Sequence, residues 1–448
     1  MREKFQETTS IKDVGWALPT IGKSLKRCVV GNAHPTLLFV LASAMVALGG
    51  CETLDKSLNT ADRALSVVNS STARSLTKIA KSDDRQAVVK ETLKKRGDVY
   101  EQNPQALIQD IRTIKRDYEN LMSLLTGNVT KTWGKKEVKL PSRVQYIKYT
   151  QNYKSRAVVD FDAGEITVET VDDKDPRVSL KNAIVTTLLT PDDPRSVDLF
   201  SDSAVTLTSD KKPYLLGLVV DQNSKIVATP AEAEGFADHL LVKQAANRPV
   251  ELEGGTKNAL FVKFSMVANF ENKQAEKYSE PVKKYAAQYN ISPSLVYAVI
   301  RTESNFNPFA VSSAPAYGMM QLVPTSGGRE AFRKVKGLDE APSKQYLFDA
   351  ENNIELGTAY LSVLMFNQME RVTNPVAREY CVISAYNTGP GNVYKAFSKK
   401  QVEAVNAINS LQPPGVYEKL RTSLPYEETR QYLVKVVNYR KQFISRAN

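Results

Sequence analysis

Cysteine and histidine are scarce in this chain of 448 residues, which contains three cysteines and two histidines. Cys28, Cys51 and Cys381 are too few and too widely spaced for a disulfide scaffold or a zinc site. Catalysis by a Ser-His-Asp or Cys-His arrangement would depend on His239, because His34 lies in the amino-terminal leader. The glycine-rich phosphate loops of nucleotide enzymes are also missing. We therefore expect neither a metal nor a cofactor.

The composition is that of a globular chain. Hydrophobic residues make up 42% of the sequence and charged residues 24%, which argues against wholesale disorder. A chain of this length can bury two separate cores, so we expect two domains behind a leader. The net charge of +11 suits an acidic partner, whether nucleic acid, anionic lipid or the carboxylate-bearing peptides of a cell wall, and by itself selects none of them.

The amino terminus has the pattern of a secretory signal. Lys23, Lys26 and Arg27 precede an apolar run at 37–48. This run is shorter than the roughly 20 apolar residues that a membrane-spanning helix requires. A basic segment followed by a short apolar run is typical of a signal peptide, which is removed from the mature protein.

Residues 48–51, Leu-Gly-Gly-Cys, resemble the bacterial lipobox. This resemblance implies that residues 1–50 form a signal peptide and that the thiol of Cys51 receives lipid, which would anchor the protein in the periplasm. Glu52 is not the aspartate that retains lipoproteins in the inner membrane of enterobacteria, so the outer membrane is favoured. The alternative is a simple cleaved signal with an incidental cysteine.

The hydrophobic period changes twice along the mature chain. Residues 51–128 have apolar positions three and four apart, which predicts a helical tether. Residues 129–272 change to period two and predict a β-rich N-terminal domain. Residues 273–448 return to a helical pattern interrupted by prolines and predict an all-α C-terminal domain. The expected fold class is therefore α+β.

Two hairpins, a further strand and a helix are predicted within the β-rich segment. A hairpin is indicated by two apolar runs around a short turn that contains Gly, Asp or Asn. The predicted elements are Ala157–Phe161 with Glu165–Val171, Leu215–Val220 with Lys225–Ala228, the strand Ala259–Val267 and the helix Ala231–Ala246.

A helix that begins at Ser292-Pro293 places a carboxylate on its buried face. Serine is a preferred capping residue, and proline fits the first turn of a helix. The apolar stripe at 295–300 continues at helical spacing to Glu303. Burial there would raise the pKa of Glu303, as a general acid working near neutral pH requires. On periodicity alone, a glutamate at a frayed helix end that reaches water is the commoner arrangement.

Several segments after this helix resemble the lytic transglycosylase (SLT) domain family in both order and spacing. That family has a lysozyme-like fold, and the corresponding segments line its sugar-binding cleft. The resemblance covers roughly residues 275–440. The matching segments here are Glu303–Pro308, Ser312, Tyr317–Leu322, Ala385–Asn387 and Glu428–Arg430 with Tyr432.

The resemblance implies a role for each matched residue. Glu303 would be the catalytic acid, and the Ser312 hydroxyl would orient it. The substrate would be the glycan strands of peptidoglycan. Besides Ser312, the residues expected to bind this substrate are Ser304, Met320, Gln321, Tyr386, Asn387 and Tyr432.

Within this family, the chain is similar to a lipoprotein branch with a β-rich domain before the SLT domain. The similarity rests on the Cys51 leader, on the β-rich segment, and on the stretches Tyr346–Asp349 and Asn353–Leu361. Since every residue given a role lies after Ala275, we expect that part of the chain to cleave glycan on its own.

Only Glu303 has the setting of a catalytic carboxyl, whereas glycosidases commonly use two. Asp349 and Glu351 have the pattern of helix-capping residues. The family resemblance implies that the substrate supplies the second group and that the product ends in 1,6-anhydromuramic acid. The alternatives are a true hydrolase, a non-catalytic cell-wall-binding lipoprotein and a nucleic-acid-binding protein. The last lacks a recognition motif and conflicts with the leader, so we expect no nucleic acid partner.

Overall fold

The computed structural model describes residues 104–447, apart from 208–210 and 313–314. The predicted signal peptide, the lipidation site Cys51 and much of the predicted tether therefore lie outside the described residues. No helix in this described part is both long enough and apolar enough to cross a membrane.

The described chain begins with a long helix, α1, at Pro104–Trp133. Leu125, Val129 and Trp133 recur every four residues and are fully buried, so one face of the helix packs on the core. Gly134 ends the helix with a φ of 82°, and a Cβ there would lie 2.1 Å from the Glu251 carbonyl oxygen. Only glycine fits this close approach.

A five-stranded antiparallel sheet forms the centre of the N-terminal region, with the strand order β1-β2-β3-β5-β4. The predicted hairpin around 162–164 is confirmed, because β2 pairs with β3 from Ser155 opposite Thr170 to Asp160 opposite Glu165. Helices α2 and α3 complete this region. The bounds are β1 Gln145–Thr150, β2 Ser155–Asp160, β3 Glu165–Thr170, α2 Pro176–Leu189, α3 Pro230–Lys243, β4 Ala246–Leu252 and β5 Gly255–Ser265.

The second predicted hairpin, Leu215–Val220 with Lys225–Ala228, is wrong. This segment forms only isolated bridges, between Leu216 and Val219 and between Val220 and Ile226. A left-handed glycine, Gly217 with a φ of 74°, turns the chain there. Leu215, Leu218, Val219 and Val227 are buried within irregular chain, because burial requires no regular backbone, while Ile226 is exposed.

The helix predicted at Ala231–Ala246 ends earlier than expected, at Lys243, and Ala246 begins strand β4. β4 is an edge strand, which is where a sheet tolerates the missing N–H of Pro249. The period-two pattern also does not predict α2, which fills the space beside the sheet. A proline in the first turn of α2 is the sequence signal of its start.

Helices make up most of the described C-terminal region, although its described residues between Ser304 and Gly327 form none. Proline stands in the first turn of four of its helices, α6, α10, α11 and α13, where a backbone N–H is not required. The bounds are α4 Phe270–Lys277, α5 Ser279–Tyr289, α6 Pro293–Ser304, α7 Gly327–Lys336, α8 Lys344–Phe348, α9 Ala350–Val363, α10 Pro375–Thr388, α11 Pro390–Lys395, α12 Gln401–Asn409, α13 Pro413–Ser423 and α14 Glu427–Ala447.

One hydrophobic core runs through both regions. The clearest link is Phe309, whose ring lies 4.7 Å from that of Tyr146 and 5.1 Å from that of Tyr214. Aromatic pairs at these separations pack with their rings offset or edge-on and stabilise the contact. An antiparallel sheet followed by a helical region confirms the predicted α+β fold class.

Candidate active site

Glu303 lies in the last turn of α6. Pro293 occupies the first turn of this helix as predicted, but the Ser292 hydroxyl bonds to the Ser294 hydroxyl, at 2.8 Å, and does not cap the helix. The helix ends at Asn305, whose φ of 47° is left-handed. The residues of the apolar stripe are buried, and Glu303 at its end is 5% exposed.

Burial dominates the electrostatics of Glu303 and raises the pKa of its carboxyl to about 7. Arg143 opposes this effect, since a guanidinium nitrogen lies 3.7 Å from the carboxylate. The Tyr432 hydroxyl also favours the ionised form, and the negative charge of Glu428 disfavours it. A carboxyl whose pKa is near 7 is half protonated at neutral pH, so it can both give and accept a proton.

The segment from Tyr317 to Leu322 is held in place by one buried side chain, Asn353 in α9. Its amide nitrogen donates to the carbonyls of Tyr317, at 2.9 Å, and Leu347, at 2.8 Å, while its amide oxygen accepts from the Met320 N–H, at 2.8 Å. A Cβ at Gly318 would lie 2.3 Å from this amide. No role of Asn353 was predicted beyond its place in a matching stretch, because its partners are 6 to 36 residues away.

Two of the predicted substrate-binding residues, Ser304 and Met320, have their side chains in the packed interior. The Ser304 hydroxyl donates to the Met319 carbonyl at 2.8 Å and is fully buried. The Met320 thioether packs on Gly357, where even a Cβ would lie 2.2 Å from the sulfur. Both side chains pack within the interior beside the 317–322 segment, and a role of either residue in binding substrate stays a prediction.

Tyr386 and Tyr432 lie close enough to Glu303 for its charge to affect their pKa, and Gln321 follows the residue whose carbonyl Tyr386 contacts. Gln321 has a left-handed φ of 47°, and its amide nitrogen donates to the Gly318 carbonyl at 2.8 Å. The Tyr386 hydroxyl donates to the Met320 carbonyl at 2.8 Å. Burial, reinforced by the charge of Glu303, raises the pKa of both tyrosines. Both phenols are therefore neutral and can donate hydrogen bonds.

Two buried polar atoms in this group have no well-formed hydrogen bond within the described part of the chain. They are the Gln321 amide oxygen and the Tyr432 hydroxyl. The Tyr432 hydroxyl lies near enough to the Glu303 carboxyl to affect its pKa, although the geometry falls short of a good hydrogen bond. Buried polar groups usually have partners, so these two atoms are suited to accept and donate bonds to a polar ligand.

Two further predicted site residues are Asn387 and Ser312. The Asn387 side-chain oxygen accepts from the Thr429 hydroxyl at 2.7 Å, which joins α10 to α14. Ser312 lies in the loop before Tyr317, where its N–H donates to the Ala316 carbonyl at 3.3 Å. Whether the Ser312 hydroxyl orients Glu303 stays a prediction.

The segment that follows Glu303 is clamped to the N-terminal region. The amide of Asn305 donates to the Phe161 carbonyl, and the amide of Asn307 donates to the Arg143 carbonyl at 3.1 Å. Both asparagines are almost fully buried. Asn305 and Phe306 both have a positive φ, which costs about 1–3 kcal/mol per residue outside glycine and persists only when surrounding contacts enforce it. The clamp is such a contact.

Arg143 was not predicted as a site residue. It lies just before β1, and its guanidinium contacts both Glu303 and, at 3.5 Å, Glu428. No local spacing connects residue 143 with residue 303, so sequence periodicity could not find it. Arg143 precedes Ala275, and cleavage by the isolated C-terminal part stays a prediction.

The described residues contain no group of three or more His, Cys, Asp or Glu side chains arranged to hold a metal ion. The groups around Glu303 that the structure does describe are its own buried carboxyl, an adjacent guanidinium, neutral phenols and amides. These groups can transfer a proton and bind a polar, uncharged ligand through hydrogen bonds.

Two family models match the chain. Residues 100–277 match the N-terminal domain of membrane-bound lytic murein transglycosylase C, and residues 280–409 match the transglycosylase SLT domain. The solved structure of an inactive mutant of the lytic transglycosylase Slt from Pseudomonas aeruginosa is 29% identical and covers 37% of this chain and 24% of that one, with a TM-score of 0.29.

Curated relatives match most of the chain. Membrane-bound lytic murein transglycosylase C from Yersinia enterocolitica is 42% identical over 326 residues, which cover 73% of this chain and 89% of the relative. The protein of the same name from Yersinia pestis is 41% identical over the same coverage. The chain therefore belongs to the membrane-bound lytic murein transglycosylase C family.

Proposed function

We propose that this enzyme cleaves the β-1,4 bond between MurNAc and GlcNAc in peptidoglycan and leaves 1,6-anhydromuramic acid ends. Its family is one of lytic murein transglycosylases, so a peptidoglycan-degrading glycan lyase is the class of enzyme. The observation that supports the proposed product is the isolation of Glu303, a buried carboxyl whose nearest charged neighbour is a cation. A single carboxyl fits a reaction in which the substrate supplies the nucleophile.

Glu303 would act twice in this reaction. In its protonated form it gives a proton to the glycosidic oxygen, and the bond from that oxygen to C1 of the muramoyl residue breaks. The N-acetyl carbonyl of the same sugar assists this departure. Glu303, now ionised, takes the proton of the C6 hydroxyl while that oxygen bonds to C1. Water enters no bond, and the enzyme returns to its starting protonation state.

The surrounding polar groups would bind the sugar. The unpaired Gln321 oxygen can accept a hydrogen bond from a sugar hydroxyl or from the N–H of an N-acetyl group. The Tyr432 hydroxyl can donate a hydrogen bond to an oxygen of the ligand. Asn387 retains its amide N–H groups for substrate, since its oxygen is used by Thr429. Tyr386 and Met320 would act indirectly, because their contacts hold the backbone of the 317–322 segment in place. Ser312 would act by orienting the Glu303 carboxyl.

The decisive experiment is digestion of purified peptidoglycan in heavy-oxygen water, followed by mass spectrometry. A lytic transglycosylase releases unlabelled fragments that are lighter by one water, about 18 mass units, than lysozyme products, because no water is added. Reducing ends that carry the heavy isotope would show a hydrolase.

Glu428 is the carboxylate that a hydrolase mechanism would recruit. It is joined to Glu303 through Arg143, but its side chain is 67% exposed. A carboxylate in that setting is solvated and held by the guanidinium. If Glu428→Gln abolished turnover as fully as Glu303→Gln, and wild-type products carried the heavy isotope, the hydrolase would replace the transglycosylase.

Replacement of Glu303 by glutamine tests the assignment of the acid directly. The amide keeps the shape of the side chain but cannot give up a proton, so turnover should fall by at least 10²-fold. The purified variant should keep the wild-type circular dichroism spectrum. Substantial lysis by a folded Glu303→Gln variant would refute the role of Glu303.

We also propose that a lipid on Cys51 anchors the enzyme in the periplasm, at the outer membrane. The support is the lipobox-like sequence together with relatives named membrane-bound. Replacement of Cys51 by alanine should release the protein into the soluble fraction. A variant that stays in the membrane fraction after a high-salt wash would contradict the anchor.

A further inference from the structure

We propose that Arg143, from the N-terminal region, is a positioning residue of the active site, whose guanidinium is shared between Glu303 and Glu428 and tunes how readily Glu303 releases its proton. This inference rests on the proposed role of Glu303 as acid and base. It adds to the site a residue that lies outside the SLT domain match at 280–409.

The first support is the position of the guanidinium. The same terminal nitrogen of Arg143 lies 3.7 Å from a Glu303 oxygen and 3.5 Å from a Glu428 oxygen. The Arg143 side chain is 40% exposed, whereas the Glu303 side chain is 6% exposed. The charge therefore lies between the buried carboxyl and water, on the accessible side of Glu303.

The second support is the way the backbone at Arg143 is fixed. The Arg143 carbonyl accepts from Asn307, four residues after Glu303, and the Ser142 carbonyl accepts from the Val311 N–H at 3.4 Å. The Ser142 hydroxyl accepts from the Gln145 N–H at 3.1 Å, where β1 begins. The backbone around Arg143 is thus hydrogen-bonded to the start of β1 on one side and to the chain that follows Glu303 on the other. These two sets of bonds together fix where the Arg143 side chain starts relative to Glu303.

The third support is the balance of the groups that face Glu303. They are Arg143 from the segment before β1, Tyr386 from α10, and Glu428 and Tyr432 from α14. Burial raises the pKa of Glu303 to about 7, Arg143 and Tyr432 lower it, and Glu428 raises it. Arg143 is the only cation among these groups, so it is the main force that keeps the buried carboxyl able to ionise.

The balance matters because Glu303 has two opposite tasks. Without the guanidinium, the carboxyl would hold its proton more tightly, which weakens it as the acid that starts the reaction. Without Glu428, Arg143 would pair with Glu303 alone, and the carboxyl would ionise at a lower pH. Solvent around the half-exposed arginine screens its charge, so the effect is a tuning of Glu303 and not a switch.

The test is the pH profile of kcat/KM, measured with soluble glycan strands on the wild type and on the variants Arg143→Met, Arg143→Lys and Glu428→Gln. The alkaline limb reports loss of the protonated Glu303 in the free enzyme. Arg143→Met should move this limb up by about one pH unit, the low end of the effect of a guanidinium on an adjacent carboxyl. Arg143→Lys keeps the charge and should leave the limb near its wild-type position.

Glu428→Gln should move the alkaline limb in the other direction, to lower pH. The substitution removes a negative charge, so that Arg143 then pairs with Glu303 alone. Opposite shifts from two substitutions in the same ion pair are not produced by a loosened fold. Arg421→Met is the matched control, since Arg421 pairs with Glu418 at 3.0 Å on the surface of α13. It should leave the limb unchanged.

Two outcomes would overturn the proposal. A uniform loss of activity at every pH in Arg143→Met, with the limb in place, would mean that the residue only supports the fold. A raised KM with an unmoved limb would mean that it binds substrate. Failure of the underlying function is distinguishable, because Glu303→Gln would then retain turnover whatever Arg143 does.

Discussion

The sheet and the helical region each bury a glutamate, and the two carboxyls have opposite properties. Glu169 on β3 is 1% exposed and Glu303 on α6 is 5% exposed. Although burial opposes ionisation of Glu169, the charges and hydrogen bonds of Arg156, Lys139 and Arg248 together outweigh it, so its pKa is lowered. Burial prevails at Glu303, and its pKa is raised to about 7. Depth of burial is therefore not what separates the two.

The difference between the two pKa values comes from the number of cations beside each carboxyl. Glu169 accepts from Arg156 at 2.7 Å and from Arg248 at 2.6 Å, and Lys139 lies 3.6 Å away. Glu303 has Arg143 at 3.7 Å, shared with Glu428. A carboxylate with several donors is held in its charged form as part of the scaffold. A buried carboxyl with too few donors keeps its proton near neutral pH, which is the property that proton transfer requires.

The largest effect on stability should come from Glu169→Gln, which removes one of the two carboxylate partners of the fully buried Arg156 and leaves it only Glu137. Breaking a buried ion pair on one side costs about 3–5 kcal/mol. Chemical denaturation at neutral pH measures this loss. Glu165→Gln on the same strand is the control, since its pair with Lys263 is exposed and should contribute about 1 kcal/mol or less. Equal effects of the two substitutions would contradict the comparison.

Glu303→Gln should change the stability of the folded protein in the opposite direction and increase it. The pKa of Glu303 is about 7 in the folded protein, above its ordinary value of 4.5, so folding loses stability as the pH rises through this window. A glutamine removes that loss. The variant should be more stable than the wild type by on the order of 2–3 kcal/mol at pH 8 and equally stable at pH 4. Thermal melting at both pH values measures the difference. A variant that is less stable than the wild type at pH 8 would contradict the raised pKa of Glu303.

A smaller effect is expected at the clamp between the two regions. Asn307→Ala removes the bonds of its side chain to the Arg143 carbonyl and to the buried Phe309 N–H, which should cost about 1–3 kcal/mol. Because the clamp also fixes Arg143, kcat/KM should fall as well. Asn406→Ala on the exposed face of α12 is the control. Loss of stability with unchanged kcat/KM would show that the clamp does not position the site.

The smallest effect should come from Tyr432→Phe, which removes only a hydroxyl that favours ionised Glu303. The pKa of Glu303 should rise slightly, and the alkaline limb of kcat/KM should move up by less than in Arg143→Met. Stability should hold or improve, since the hydroxyl is buried without a well-formed bond. A shift of the limb to lower pH would contradict this account of the site.

Local patterns in the sequence predicted the features that depend on near neighbours. The stripe at 295–300 placed Glu303 on the buried side of α6, and the turn at 162–164 placed the β2–β3 hairpin. The failures share a different cause. The Leu215–Val220 segment is apolar for packing rather than for strand pairing. Asn353 bonds to Met320, 33 residues away, and Arg143 contacts Glu303, which is 160 residues away. Periodicity carries no information about such distances.

The clamp of Asn305 and Asn307 has a consequence for how the two regions can diverge. Both asparagine amides bind main-chain carbonyls of the N-terminal region, and every residue type offers the same carbonyl. Substitutions at Phe161 or Arg143 that preserve the backbone path would leave these hydrogen bonds intact, while almost any substitution of the asparagines would lose them. These two hydrogen bonds therefore constrain the two regions differently. They require asparagine on the helical side, but on the sheet side they require only that the backbone keeps its path.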